Sequence, residues 1–115
     1  MTEAQWQRQV VDLARLGGWR IAHFGAARTE KGWRTPVRED GAGWPDLVLV
    51  RPPELVFAEL KAEKGKTTPE QEAWLGDLQV VAEWSNGGVG EVVQVFVWRP
   101  SDFPEVRRVL LERRS

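Results

Sequence analysis

Cysteine is absent from the 115 residues, and histidine occurs only once. Disulfides and thiolate zinc sites are therefore excluded, and so are the multi-histidine zinc constellations. No apolar run approaches the ~20 residues that a membrane-crossing helix needs. The polar start of the chain lacks the apolar core of a secretion signal, so a cytoplasmic protein with no membrane partner is the expectation. An excess of either charge is also lacking: 16 Lys and Arg stand against 17 Asp and Glu, a net of −1. That balance argues against a protein that coats nucleic acid broadly. It leaves room for a site where carboxylates are gathered for a metal.

What is present suffices for one core. Hydrophobic residues make up 42% of the chain, with seven Trp and four Phe among them, enough for a single domain over residues 1–115. The charged 29% is well mixed in sign, which fits a globular chain rather than a disordered one.

The most informative stretch is Gly43-Trp44-Pro45-Asp46-Leu47-Val48-Leu49-Val50, followed by Arg51-Pro52-Pro53 and then Glu54-Leu55-Val56-Phe57-Ala58-Glu59-Leu60-Lys61. Two β-branched, apolar runs flank a proline break, which reads as two strands and a tight turn. Alternation puts Glu59 and Lys61 on one face and Leu60 on the other. An antiparallel return brings Asp46 beside Glu59. Two carboxylates and an ammonium then meet at one end of an apolar sheet. Like charges so placed need a counter-ion, and hard oxygen donors suit Mg²⁺, with Mn²⁺ as a substitute. Lys61 would orient a water or offset charge on a phosphorane-like transition state. Read alone, Glu59-x-Lys61 is an exposed strand end with a weak ion pair; Gly-x-Pro-Asp at the head of the preceding strand changes that reading.

The rest of the chain supplies the frame. Thr2 to Leu16 reads as a helix with a Thr2/Gln5 capping box, an apolar stripe of Trp6, Val10, Leu13, Ala14 and Leu16, and a Gly17-Gly18 stop. Glu3, in its first turn, either favours the helix dipole or adds an outer carboxylate to the site. Trp19 to Phe24 is a short strand whose His23 is either packed or in contact with a phosphate. Gly25 to Gly43 shows no periodicity and carries Arg28, Lys31, Arg34 and Arg38. It reads either as an insertion without a role or as a structureless, mobile flap that closes on a phosphate backbone, with Trp33 as its stacking or wedge residue. Trp44 packs on the sheet. Lys64 and Lys66 follow the carboxylates as further DNA-binding candidates.

Thr68-Pro69-Glu70-Gln71 opens a second helix, with Gln71, Trp74, Leu75 and Leu78 on one face. Gln71 either closes the capping box or points into the site. That helix runs to Val81 or Trp84, and Ser85 to Gly90 is turn chemistry. Glu91 to Trp98 is apolar enough for a central or near-central strand. Asp102-x-x-Glu105 starts a last helix, through Leu111, with Phe103, Val106, Val109 and Leu110 inward. Arg107, Arg108, Arg113 and Arg114 decorate its solvated side.

Pro45-Asp46 with Glu59-Leu60-Lys61 resembles the PD-(D/E)xK nuclease signature. Within that superfamily the chain looks most like the VRR-NUC family, the virus-type replication-repair nucleases. The matching pieces are the Glu3 helix ending in Gly18-Trp19, Gly43-Trp44-Pro45-Asp46-Leu47, and Phe57-Ala58-Glu59-Leu60-Lys61. Gly65-Lys66-Thr67 before Thr68-Pro69-Glu70-Gln71-x-x-Trp74-Leu75, and Val97-Trp98-Arg99-Pro100-Ser101-Asp102, complete them. The resemblance implies an α/β fold with a restriction-endonuclease-like αβββαβ core, a mixed sheet flanked by helices, and an added C-terminal helix. It implies a Mg²⁺-dependent DNA endonuclease in which Asp46, Glu59 and the backbone carbonyl of Leu60 hold metal and Lys61 assists the attacking water. Glu3 and Gln71 match accessory catalytic positions. Small stand-alone members look like Holliday-junction resolvases, tend to be homodimers and are commonly phage-encoded, which would place this one in a bacterial host's cytoplasm, in DNA recombination and repair. The alternatives are a catalytically inactive DNA-binding or recombination accessory module of the same fold, and a less selective DNA nuclease.

Overall fold

The computed structural model describes residues 1–24, 39–86 and 92–112, together with the strand backbones 27–29 and 32–34. In chain order the elements are α1 (Glu3–Leu16), β1 (Arg20–His23), β2 (Ala27–Thr29), β3 (Gly32–Arg34), a 3-10 turn (Glu39–Gly41) and β4 (Leu47–Arg51). Then come β5 (Glu54–Leu60), α2 (Pro69–Asn86), β6 (Val93–Trp98), a second 3-10 turn (Pro100–Asp102) and α3 (Phe103–Leu111). The main sheet runs β1-β4-β5-β6, antiparallel except for the β5–β6 pair, so it is mixed, as expected.

Helix α1 starts where the capping box predicts. The Thr2 hydroxyl accepts from Gln5 N–H, and the Gln5 side chain accepts from Thr2 N–H. Its buried stripe is Trp6, Val10 and Ala14, with Leu13 packed at the margin. Leu16 is the correction: it is 77% exposed. It follows the last buried turn, where the chain is already leaving the sheet through Gly17 and Gly18. A Cβ on Gly17 would collide with the Leu110 carbonyl, so α1 and α3 meet there backbone to backbone.

The two faces of the sheet are covered differently. Leu47, Leu49, Val56, Ala58, Leu60 and Trp98 join Trp6, Val10 and Ala14 of α1 and Val106, Val109 and Leu110 of α3 in one core. Two indoles bolt this layer down: Trp6 Nε1 donates to the Trp98 carbonyl at 3.0 Å and Trp19 Nε1 to the Leu110 carbonyl at 2.9 Å. The alternate residues of β5, Phe57 and Glu59 among them, face the other way, toward α2. There Gln71, Trp74, Leu75 and Leu78 are half-buried and Ala82 is buried, the face that helical spacing predicts.

Three further expectations are corrected. Residues 25–43 are not structureless throughout: β2 and β3 pair antiparallel as a separate two-stranded sheet, with Arg28 opposite Trp33 and Ala27 opposite Arg34. Strands of three residues are too short to give an alternation to read. The last strand, β6, lies at the edge of the sheet and is not central. Its apolar run reports helices on both faces rather than strands on both sides. Helix α2 is also longer than expected and ends at Asn86, whose side chain accepts from Val92 and Val93 N–H and donates to the Val93 carbonyl. Residues 87–91, part of the expected turn and strand start, lie outside the described residues.

Candidate active site

The β4–β5 register sets the site. Leu47 pairs with Ala58, so one further step places Asp46 opposite Glu59. The ladder stops there because buried Pro45 has no N–H to give. The Leu60 N–H, which points toward β4, is taken instead by Asp46 Oδ2 at 2.9 Å. The Asp46 carbonyl accepts from Phe24 N–H at 2.7 Å, which fastens the end of β1 to the same place. Glu59 is 2% exposed and projects to the α2 face. Its Oε2 lies 3.4 Å from Lys61 Nζ and accepts from Gln71 Nε2 at 3.0 Å. Its Oε1 is buried with no hydrogen-bond donor.

That geometry raises both acids. Burial is the largest cause for Asp46, opposed by the Leu60 N–H, by the proton that Glu59 shares with it, and by the charges of Lys61 and His23. Burial, then the Asp46 carboxylate, push Glu59 up to about 7, against the pull of Lys61. One ammonium is too little for two adjacent carboxylates, one buried and one half-buried. A proton or a cation must make up the difference, and Glu59 Oε1 is the atom left without a donor.

Helix α2 delivers Gln71 to this point and does two things at once. Gln71 Oε1 accepts from Thr68 N–H at 2.9 Å, and Gln71 N–H donates to the Thr68 hydroxyl at 3.2 Å, so the capping box is closed. The other end of the same amide holds Glu59. One side chain thus closes the cap and reaches Glu59. Gly43, with φ +88°, lies so close to this turn that a Cβ would stand 2.5 Å from the Glu70 carbonyl carbon and 2.7 Å from Gln71 N. Only glycine suits both the left-handed backbone and the contact. Trp44 packs edge-on against Phe24, Phe57 and Trp74, and Trp74 Nε1 is anchored to the Asp40 carbonyl at 2.8 Å.

The remaining expected residues fall into three groups. Glu3 is exposed in the first turn of α1, one turn before Trp6, whose indole shares the Trp98 carbonyl with Lys61 N–H. It therefore belongs to the same end of the sheet. His23 is exposed at the end of β1, within electrostatic reach of Asp46. Among the described residues no three Asp, Glu or His side chains gather into one cation cage, so neither Glu3 nor His23 joins the Asp46–Glu59 pair in one. Lys64 and Lys66 are exposed on a loop pinned by Arg99 Nη2 to the Gly65 carbonyl (2.7 Å) and by Ser101 N–H to Glu63 Oε2 (3.0 Å). Lys31 and Arg38 lie outside the described residues, as do Arg113, Arg114 and the side chains of Arg28, Trp33 and Arg34. Arg107 and Arg108 are exposed on α3.

Sequence reasoning missed Gly43 as a spacer and Thr68 as the residue that sets the Gln71 amide. A glycine directly before Trp-Pro was the available signal for the first, and the capping box for the second.

Comparison with known proteins agrees with this geometry. No curated protein matches the chain with significance. The family model for the VRR-NUC domain matches residues 6–96, a span that holds β4, β5, the start of α2 and every residue of the Asp46–Glu59–Lys61–Gln71 cluster. The chain belongs to the VRR-NUC family, and its function is of the nuclease type found in the PD-(D/E)xK superfamily.

Proposed function

We propose that this protein is a Mg²⁺-dependent, structure-selective DNA endonuclease that hydrolyses phosphodiester bonds in branched DNA as a homodimer, in the manner of a phage Holliday-junction resolvase. The observation that carries the reading is the convergence of Asp46, Glu59 and Lys61, with Glu59 Oε1 buried and without a donor. That donor set fits a hard divalent cation: two carboxylates side by side, no thiolate, and one oxygen that needs a positive partner. Asp46, Glu59 and the main-chain carbonyl of Leu60 would hold the ion. When bound, Mg²⁺ or Mn²⁺ supplies charge neutralisation at a phosphate and a more acidic water.

The residues of the chain do the rest. Lys61, pinned beside Glu59, orients the attacking water or stabilises the charge that builds on phosphorus. Gln71 keeps Glu59 from turning. Water attacks phosphorus, the 3′ oxygen leaves, and the product carries a 5′-phosphate. His23, within electrostatic reach of Asp46, and Lys64 and Lys66, exposed on the loop that follows Lys61, suit backbone phosphates, and Arg28, Lys31, Arg34 and Arg38 extend that role in this reading. Glu3 completes the accessory set.

A dimer supplies two sites to one junction. The inner face of α3 is buried in the core and is not available for it. Trp84, 83% exposed, with exposed Val80 and Val81, forms an apolar patch on α2 that a second copy would cover. No helix among the described residues is long and apolar enough to cross a membrane. A cytoplasmic site of action, within a bacterial host, belongs to the same proposal.

Labelled four-way junction, linear duplex and single strand, each incubated with Mg²⁺, test the reading. Junction cleavage that vanishes in Asp46→Ala and in excess chelator is expected. Junction binding without cleavage would leave an accessory module. Duplex cut as fast as junction would leave a general nuclease. Light scattering at micromolar concentration reads the dimer.

A further inference from the structure

We infer that the capping box of α2 is a selectivity lock: it fixes the Gln71 amide so that Glu59 offers one oxygen, not two, to a cation, and the site thereby rejects Ca²⁺ in favour of Mg²⁺. The inference rests on the metal-dependent reading above. An amide side chain has a donor end and an acceptor end, and nothing in Gln71 itself decides which one faces Glu59. Thr68 decides it. Its main-chain N–H can bond only to an oxygen, so Gln71 Oε1 is held there at 2.9 Å. The NH₂ end must then face the site, where it meets Glu59 Oε2 at 3.0 Å.

The same oxygen also takes the Lys61 ammonium at 3.4 Å, while Oε1 has no donor. Both donors therefore crowd one oxygen, and neither reaches the other. Gly43 sets the distance: with no Cβ, it lets the Glu70–Gln71 backbone sit directly on the loop that leads to Asp46. The amide has no slack with which to follow a rotating carboxylate.

The chemical consequence follows from what the two ions want. Ca²⁺ takes six to eight oxygens and readily uses both oxygens of one carboxylate. Mg²⁺ is smaller, needs a near-octahedral shell, and keeps waters beside one or two carboxylates. A Glu59 restricted to one oxygen suits the second ion. Thr68 touches neither substrate nor metal in this scheme and is a positioning residue.

The test is cation binding to the DNA-free protein, read from the EPR signal of free Mn²⁺ as Mg²⁺ or Ca²⁺ competes. Thr68→Pro removes the N–H that fixes the amide. Gln71→Met keeps the side-chain length and removes the donor. Thr68→Gly loses the hydroxyl, keeps the N–H, and leaves a residue well tolerated at a helix start. Relative to Mg²⁺, Ca²⁺ should compete at least fivefold better in Thr68→Pro and Gln71→Met than in wild type, with Thr68→Gly close to wild type. A ratio within twofold of wild type in folded Gln71→Met overturns the lock, even if Thr68→Pro fails to fold. If wild type takes up no Mn²⁺, the metal-dependent reading itself fails. A metal-free readout then still judges the lock: the Gln71 NH₂ protons should be resolved and slow to exchange by NMR in wild type and Thr68→Gly. Fast exchange in wild type overturns it.

Discussion

The β4–β5 hairpin carries buried charge at both ends, and the two ends treat it in opposite ways. At the turn, Arg51 is 5% exposed and Glu54 7%. The guanidinium donates to Glu54 Oε1 (2.9 Å), to the carbonyls of Gly17 (2.9 Å) and Leu110 (3.1 Å), and to that of Glu112 (2.6 Å), and its Cζ lies 4.4 Å from the centroid of the Trp19 ring. The carbonyl-rich C-terminal ends of α1 and α3 thus meet a cation. At the far end the first turn of α2 meets the Glu59 carboxylate, which also agrees with its dipole, yet the balance does not close. The distal cluster is saturated with partners and ties three chain segments together. The proximal one keeps an acid unsatisfied. A buried charge set that is complete serves the fold; one left incomplete is poised for something the chain does not itself supply.

That contrast can be broken at either end. Asp46→Asn should lower junction cleavage on the order of 10³-fold, about 4 kcal/mol of barrier, because it strips charge from the site. Asparagine still offers an oxygen to the Leu60 N–H, so urea unfolding should show stability equal to or above wild type. Arg51→Met should do the reverse. Glu54 would stay buried without its guanidinium and three helix-end carbonyls would lose a donor, at a cost of about 3–5 kcal/mol in unfolding free energy. Cleavage per folded molecule should be retained. Equal losses of activity in the two variants would mean that the two ends of the hairpin do not differ in role.

A finer contrast lies in pH. Glu59 moves from 4.5 to about 7 on folding, so its contribution to stability is full below about 4.5 and is lost as pH rises through about 7. Metal-free wild type should therefore lose, relative to Glu59→Gln, on the order of 3 kcal/mol between these limits. Paired chemical denaturation at pH 4.5 and 7.5 measures it. A flat difference would mean that the acid is not strained by its surroundings.

Much of the proximal end was legible in the sequence. Period-two alternation around Pro52-Pro53 fixed which side chains share a face, and that alone brings Asp46 to Glu59. The Thr2/Gln5 and Thr68/Gln71 boxes marked both helix starts because capping is local chemistry. What stayed hidden depends on contacts distant in the chain. The partners of Arg51 include carbonyls 34 and 59 residues away, on two different helices. The glycine at 43 is explained by a helix turn 27 residues later. The edge position of β6 escaped because hydrophobicity records which faces are covered and is silent about lateral neighbours.

Asn86 has a consequence for how these molecules meet one another. In β6 the even-numbered backbone groups serve β5, as the Leu55–Val92 and Lys61–Trp98 bonds show, so residues 93, 95 and 97 present theirs outward. The asparagine amide already fills both groups of Val93. An incoming strand would find purchase at only Val95 and Val97, less than a durable ladder requires. In a polymer chemist's terms this side chain is an end-stopper, grafted onto the growing edge so that the sheet terminates with the molecule.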